Sequence, residues 1–253
     1  MNDLERYFNE NKGRLIHKWH HFFEIYDNHF KRFRDKEVVI LEIGVSQGGS
    51  LQMWKNYFGP KAKIYGVDLN PKCKELEEEN IKIFIGSQSD AKFLRSIKDQ
   101  IPAIDILIDD GGHRMDQQII TFEELFDKVK PNGVYVCEDL LTSYQLIYGG
   151  GHKRRGTFIE YSKNFIDFVN AYHSEESSLQ VTPFTRSVHS VHFYDSMVVL
   201  EKRERQAPVH SKTGTPSFVN ETKEETSTQK IKFKIVYAIN QVLRFFKLPS
   251  YKW

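Results

Sequence analysis

The chain has 253 residues and a mass of 29.8 kDa, enough for one substantial core in one domain or two. Hydrophobic residues make up 40% of it, and a net charge of +2 without a broad basic run argues against a nucleic-acid binder. Two cysteines, Cys73 and Cys137, exclude a disulfide framework and a zinc-finger spacing.

Residues 1–36 read as an N-terminal helical segment. Leu15, Trp19, Phe22, Tyr26 and Phe30 recur at three- and four-residue steps, with Lys18, His21, Asn28 and Lys31 on the other face. The first residues, MNDLERYFNENKGRL, carry charge where a signal peptide needs an apolar stretch. No window approaches ~20 uninterrupted apolar residues, so no span is expected and the expected location is the cytoplasm.

From Glu37 short apolar runs alternate with polar segments of helical length. Strands are predicted over 38–43, 63–68, 81–85, 104–108 and 134–137, the last after the turn signal Pro131-Asn132-Gly133. Helices are predicted over 50–58, 71–79 and 90–100, and through 122–126. This alternation predicts a parallel sheet with helices on both faces, its strand ends gathered on one ligand-binding edge. Residues 189–194 and 196–201, either side of Asp195, predict an antiparallel hairpin that closes the domain at 202. Residues 203–229 are rich in Lys, Glu, Ser, Thr and Pro and read as a disordered linker. Residues 230–253 read as a basic amphipathic helix, with Ile235, Ile239, Val242 and Phe246 on one face.

The chemistry-bearing residues fall at the predicted strand ends. After the first strand comes Glu42-Ile-Gly44-Val-Ser-Gln-Gly48-Gly49-Ser50, a glycine turn spaced E-x-G-x-x-x-G rather than as the G-x-G-x-x-G dinucleotide fingerprint. Asp68, ending the second strand, is placed to accept hydrogen bonds from both ribose hydroxyls of a nucleoside. After the third strand, Gln88 and Ser89 are expected to face the ligand while Asp90 caps the next helix. Together these loops describe an adenosine-shaped site with no place demanded for a diphosphate.

Two acidic patches follow the fourth and fifth strands: Asp109-Asp110-Gly-Gly-His113 and Glu138-Asp139. Converging carboxylates suit magnesium, which prefers carboxylate and water oxygens, so Asp110, Glu138 and Asp139 are the candidate ligands. His113, three residues after Asp110, is the candidate general base for a hydroxyl proton. Tyr144 and Tyr148 are weaker substrate-facing candidates. The glycines at 149–151, with Lys153, Arg154 and Arg155 beyond them, read as a lid or a solvated loop.

These residues resemble the class I S-adenosylmethionine-dependent methyltransferases, and within them the magnesium-dependent sugar O-methyltransferases of macrolide deoxysugars. The resemblance rests on LEIGVSQGGS (41–50), YGVD (65–68), GSQSD (86–90), IDDGGH (108–113), EDLLTSY (138–144) and VHFYDS (191–196), and covers about residues 15–202. It implies a Rossmann-like fold with strand order 3-2-1-4-5-7-6, strand 7 antiparallel, and a homo-oligomer. It places Glu42, Gly44, Ser50, Asp68, Gln88, Ser89 and Asp110 around S-adenosylmethionine, assigns Mg2+ to Asp110, Glu138 and Asp139, and makes His113 the base. Against the family, no large N-terminal domain is expected in this chain, and the linker and tail are expected to be additional. The implied acceptor is a sugar hydroxyl on a nucleotide sugar, a glycan end or a glycosylated natural product. Two other readings stand beside it: an NAD-linked oxidoreductase, disfavoured by the missing fingerprint, and a non-catalytic nucleotide-binding scaffold. The tail is expected to dock on another subunit or lie peripherally on a membrane.

Overall fold

Strands covered on both faces need near-continuous apolar runs, and the runs seen in the sequence supply them. The computed structural model describes residues 1–218 and 226–251, divided between two compact units, Met1–Pro208 and Val209–Trp253. In the first unit β1 (Val39–Ile43), β2 (Lys63–Asp68), β3 (Ile81–Ile85), β4 (Ile104–Asp109) and β5 (Val129–Cys137) pair in parallel. β6 (Val188–Tyr194) and β7 (Met197–Lys202) close the sheet, β7 pairing antiparallel with both β5 and β6. The order β3-β2-β1-β4-β5-β7-β6 is the one the resemblance implied.

The pleat sends alternate side chains to opposite layers. Ile40, Ile106 and Ile108 join a core with α1 (Asp3–Glu10), α2 (Phe22–Phe30) and α3 (Gly49–Phe58), where Tyr26, Phe30, Trp54 and Phe58 interlock. Leu41 and Leu107 join the opposite core, formed with α4 (Ala91–Lys98), α5 (Met115–Leu125), α6 (Phe158–Asn170) and α7 (Pro183–Ser187). Ile43 is level with Val67 on one side and Asp109 on the other, and Asp109 with Cys137. Gly44, Asp68, Asp110 and Glu138 therefore leave the sheet at one edge. That edge is centred on the β1–β4 pair, from which the strand order runs outward in both directions, and crevices there bind ligands in such folds.

Several local expectations are corrected. The N-terminal stripe is not one helix: residues 11–21 run irregularly between α1 and α2, and Leu15 and Trp19 are exposed while Phe22, Tyr26 and Phe30 are buried. The segment at 71–79 is a short 3-10 turn, Pro71–Leu76. Pro131-Asn132-Gly133 sits inside β5, as a bulge that shifts the register against β4, rather than before it. The hairpin turn has two residues, Asp195 and Ser196, the latter at φ 60°. Helices α6 and α7 lie where no element was read. In the second unit the tail helix α8 (Ser227–Phe245) starts earlier than expected, because Thr226 caps it in a capping box with Gln229. Of the predicted linker, 203–218 has no regular helix or strand, and 219–225 lies outside the described residues. Among the described residues no helix is long and apolar enough to cross a membrane.

Candidate active site and metal centre

The glycine turn after β1 is shaped by how closely the chain passes itself. Gly44 has φ 95°, and a Cβ there would lie 2.0 Å from the carbonyl oxygen of Asp110. Only glycine lets the first and fourth strand ends approach like this. Gly48, at φ 75°, turns the chain into α3, while the backbone of Arg14 and Leu15 crosses against Gly49. The crossing segment and the strand ends enclose a cavity of about 420 Å3, lined among others by Gly44, Ser50, Asp68, Gln88, Asp110, His113 and Asp139.

The expected donor-site residues divide by what they already hold. Asp68 Oδ2 accepts the N–H groups of Val45 and Ser46 at 2.9 and 2.8 Å, and Oδ1 accepts that of Asn70 at 2.8 Å. A carboxylate has about four acceptor positions, so Asp68 keeps capacity for one ribose hydroxyl rather than the expected two. Gln88 lines the cavity but is buried and engaged: it donates to Asp109 Oδ1 at 2.5 Å and to Thr121 Oγ1 at 2.9 Å, and accepts from Gly112 N–H at 3.0 Å. It ties down the loop after β4 rather than presenting its amide. Ser89 is exposed and outside the cavity lining, because the turn from Ser87 to Asp90 carries it away; Ser87 takes the lining position. Glu42 lies behind Ser50, fully buried, and accepts from the Ser50 hydroxyl at 2.8 Å.

The acidic patches converge as expected, around a partner that was not expected. Lys18 enters from the crossing segment, its side chain 3% exposed, and places Nζ 2.5 Å from Asp110 Oδ2, 2.8 Å from Glu138 Oε2 and 3.8 Å from Glu42 Oε1. Helical periodicity had put Lys18 on a solvent face; in its irregular segment it plugs the cluster. Burial opposes the Lys18 charge, but Asp110, Glu138, Tyr26 and Glu42 outweigh it and hold the ammonium well above its usual pKa. One ammonium thus faces three carboxylates. Burial pushes Glu42 up to about 7, and burial with the Asp110 charge pushes Glu138 well up. Tyr26 donates its hydroxyl to Glu138 Oε1 at 2.5 Å. The site is short of positive charge.

Asp139 and His113 form its outer rim. Trp19 Nε1 donates to Asp139 Oδ1 at 2.9 Å, and His113 Nε2 lies 3.4 Å from Asp139 Oδ2. His113 and Asp139 both have left-handed backbones, at φ 55° and 53°. Non-glycine residues held there store strain of the kind that clusters at functional sites. Ligand atoms of Asp110, His113 and Asp139 lie within 4.8 Å of one another, a grouping that fits one cation. Two hard carboxylates suit magnesium; Glu138, the third expected ligand, lies outside this grouping and is held by Lys18 and Tyr26. Asp109, buried behind them, holds Gln88 and the Gly111 N–H, and burial raises it to about 7. Tyr144 is exposed and outside this cavity, and Tyr148 lines a separate one.

This edge, on this strand order, defines the class: the fold is that of the Rossmann-like methyltransferases. No model of a known protein family matches the chain. It is 36% identical over 197 residues to the 8-demethyl-8-alpha-L-rhamnosyl tetracenomycin-C 2'-O-methyltransferase of Streptomyces olivaceus, covering 74% of this chain and 52% of the relative. It is 39% identical over 196 residues to the 8-demethyl-8-(2-methoxy-alpha-L-rhamnosyl)-tetracenomycin-C 3'-O-methyltransferase of the same organism, covering 73% and 50%. Among solved structures, the MycE methyltransferase of the mycinamycin biosynthetic pathway, in complex with Mg, SAH and mycinamycin VI, superposes with a TM-score of 0.71 at 30% identity, over 92% of this chain and 58% of that one. The chain is thus a homologue of the natural-product sugar O-methyltransferases, and it spans about half the length of the curated relatives it matches.

Proposed function

We propose that the chain is an S-adenosylmethionine- and magnesium-dependent O-methyltransferase acting on a sugar hydroxyl. The observation that carries this is the excess of carboxylate over ammonium around Lys18, which with Asp110 lines a glycine-lined cavity at the strand ends. In this reading the glycine turn and the remaining acceptor position of Asp68 receive the donor. Asp110, Glu138 and Asp139 hold the cation once Lys18, which contacts both Asp110 and Glu138, withdraws. The bound donor would supply an electrophilic methyl group, and the bound cation would grip neighbouring sugar hydroxyls and lower their pKa. His113 Nε2, on the cavity rim, takes the hydroxyl proton, and its strained backbone fixes where it waits. Orientation of donor and acceptor then supplies most of the remaining acceleration.

The test is His113→Ala. Calorimetric titration with S-adenosylhomocysteine should be unchanged, while turnover falls by about 10²–10⁴-fold, the usual contribution of a positioned base. Unchanged turnover would remove His113 from the role. Titration with NAD in the same cell separates the dehydrogenase reading.

A cytoplasmic location, a homo-oligomer and a contact through the tail belong to the same proposal. α8 exposes Ile235, Ile239 and Val242, with Phe246 just beyond its end, and residues 226–251 contain no acid. We read it as a docking helix for another subunit. Sedimentation velocity on Ile235→Asp/Ile239→Asp in the full chain should show a smaller assembly; loss of liposome binding instead would place the contact on a membrane.

A further inference from the structure

Beyond His113 the chain leaves the acidic cluster and lines a second, more open cavity of about 460 Å3. Its walls combine an apolar face, Ile119 and Ile120 of α5, with Tyr148 and three arginines: Arg114, Arg154 and Arg155. Among the described residues these guanidinium groups meet a single carboxylate, Asp116. Arg114 meets Asp116 at 3.8 Å with both side chains exposed, a geometry in which an ion pair contributes little. Arg154 gives one N–H to the Gly150 carbonyl at 3.2 Å and keeps the rest of its fork. For Arg155 no hydrogen bond or ion pair is found among the described residues. Three guanidinium groups against one carboxylate make this cavity the electrostatic opposite of its neighbour.

Two consecutive residues stand in the walls of the two cavities. His113 lines the first and Arg114 the second, and consecutive Cα atoms are about 3.8 Å apart. A molecule whose hydroxyl lies beside His113 therefore has Arg114 one residue away from its reacting end. Planar guanidinium forks match phosphate and carboxylate oxygens in charge-assisted bidentate pairs, which a neutral group cannot form. We infer that the acceptor is an anionic sugar, carrying a phosphate or carboxylate close to the hydroxyl that is methylated. The inference rests on the methyltransferase reading for the word acceptor, but the anion site stands on its own geometry. It also gives Tyr148 a place, as a ring beside the sugar at the cavity wall.

The test is calorimetric titration of the full chain, loaded with S-adenosylhomocysteine and magnesium, with four probes: a nucleoside-diphosphate glucose, glucose 1-phosphate, glucuronate and methyl glucoside. At least one anionic probe should bind ten-fold or more tightly than methyl glucoside. Arg154→Ala/Arg155→Ala should erase that advantage, Arg154→Lys/Arg155→Lys should restore part of it, and affinity for S-adenosylhomocysteine should stay the same in all. Phosphate probes favoured over glucuronate assign the anion as phosphate, and the reverse assigns it as carboxylate. Equal binding of charged and neutral probes, or an advantage that survives the double alanine variant, overturns the inference. If the anions bind through the arginines while S-adenosylhomocysteine does not bind at all, the anion site stands and the methyltransferase reading falls.

Discussion

The two halves of the sheet edge are built from different materials. At the ends of β1 and β2 the cavity wall is mostly backbone: a glycine turn, held by Asp68 through three main-chain N–H groups. At the ends of β4 and β5 it is charge: Asp110 and Asp139 line it with Lys18, and behind them Lys18 also meets Glu138 and, from β1, Glu42. A wall made of backbone responds to changes in shape, whereas a wall made of buried charge responds to changes in balance. Substitutions on either side should therefore fail in distinguishable ways.

The largest expected effect is at the charged end. Lys18→Met removes the ammonium and leaves buried carboxylates facing one another, which should cost about 3–5 kcal/mol, the usual result of breaking a buried ion pair from one side. Urea unfolding at pH 7 measures it. The loss should shrink at pH 5, where the raised pKa values of Glu42 and Glu138 let those groups take protons, and magnesium should recover part of it. At the backbone end, Gly44→Ala should cost about 3 kcal/mol, from the left-handed conformation and the collision with the Asp110 carbonyl. Its penalty should be the same at both pH values, and S-adenosylhomocysteine affinity should fall with it.

A third effect lies away from both. Burial alone would raise Glu201, but hydrogen bonds from His29 and Arg32 and the Arg32 charge outweigh it and hold it at about 2. A carboxylate depressed in the folded state adds stability above its unfolded pKa, and loses it as pH falls through the folded value. Acid titration should show that loss between roughly pH 4.5 and 2, and Glu201→Gln should flatten this limb. The smallest effect belongs to Ser89→Ala, which should change donor affinity and stability by no more than about 0.5 kcal/mol.

Much of this edge was legible in the sequence, for particular reasons. Buried parallel strands advertise themselves as short apolar runs, so the residues leaving them at Gly44, Asp68, Asp110 and Glu138 could be set on one edge before any coordinate was known. Lys18 was not legible, because a helical stripe through Leu15 and Trp19 put it on the wet face, and only a long-range approach to Asp110 and Glu138 takes it inside. Gln88 and Ser89 were placed in the right loop, but orientation depends on a turn and on Thr121 and Asp109, which no local pattern encodes. Helix α6 had a signal that was passed over: Thr157 followed three residues later by Glu160, ahead of Phe158, Phe165 and Val169 on the core side.

The most direct measurement of the central claim is transfer of an isotope-labelled methyl group from S-adenosylmethionine to a sugar acceptor. It should be run with the full chain as isolated, after chelator, and after magnesium is restored. The account predicts a labelled methyl ether that disappears with chelator and returns with magnesium, and no return in Asp110→Ala. Transfer that is indifferent to chelator, or that survives Asp110→Ala, would contradict it.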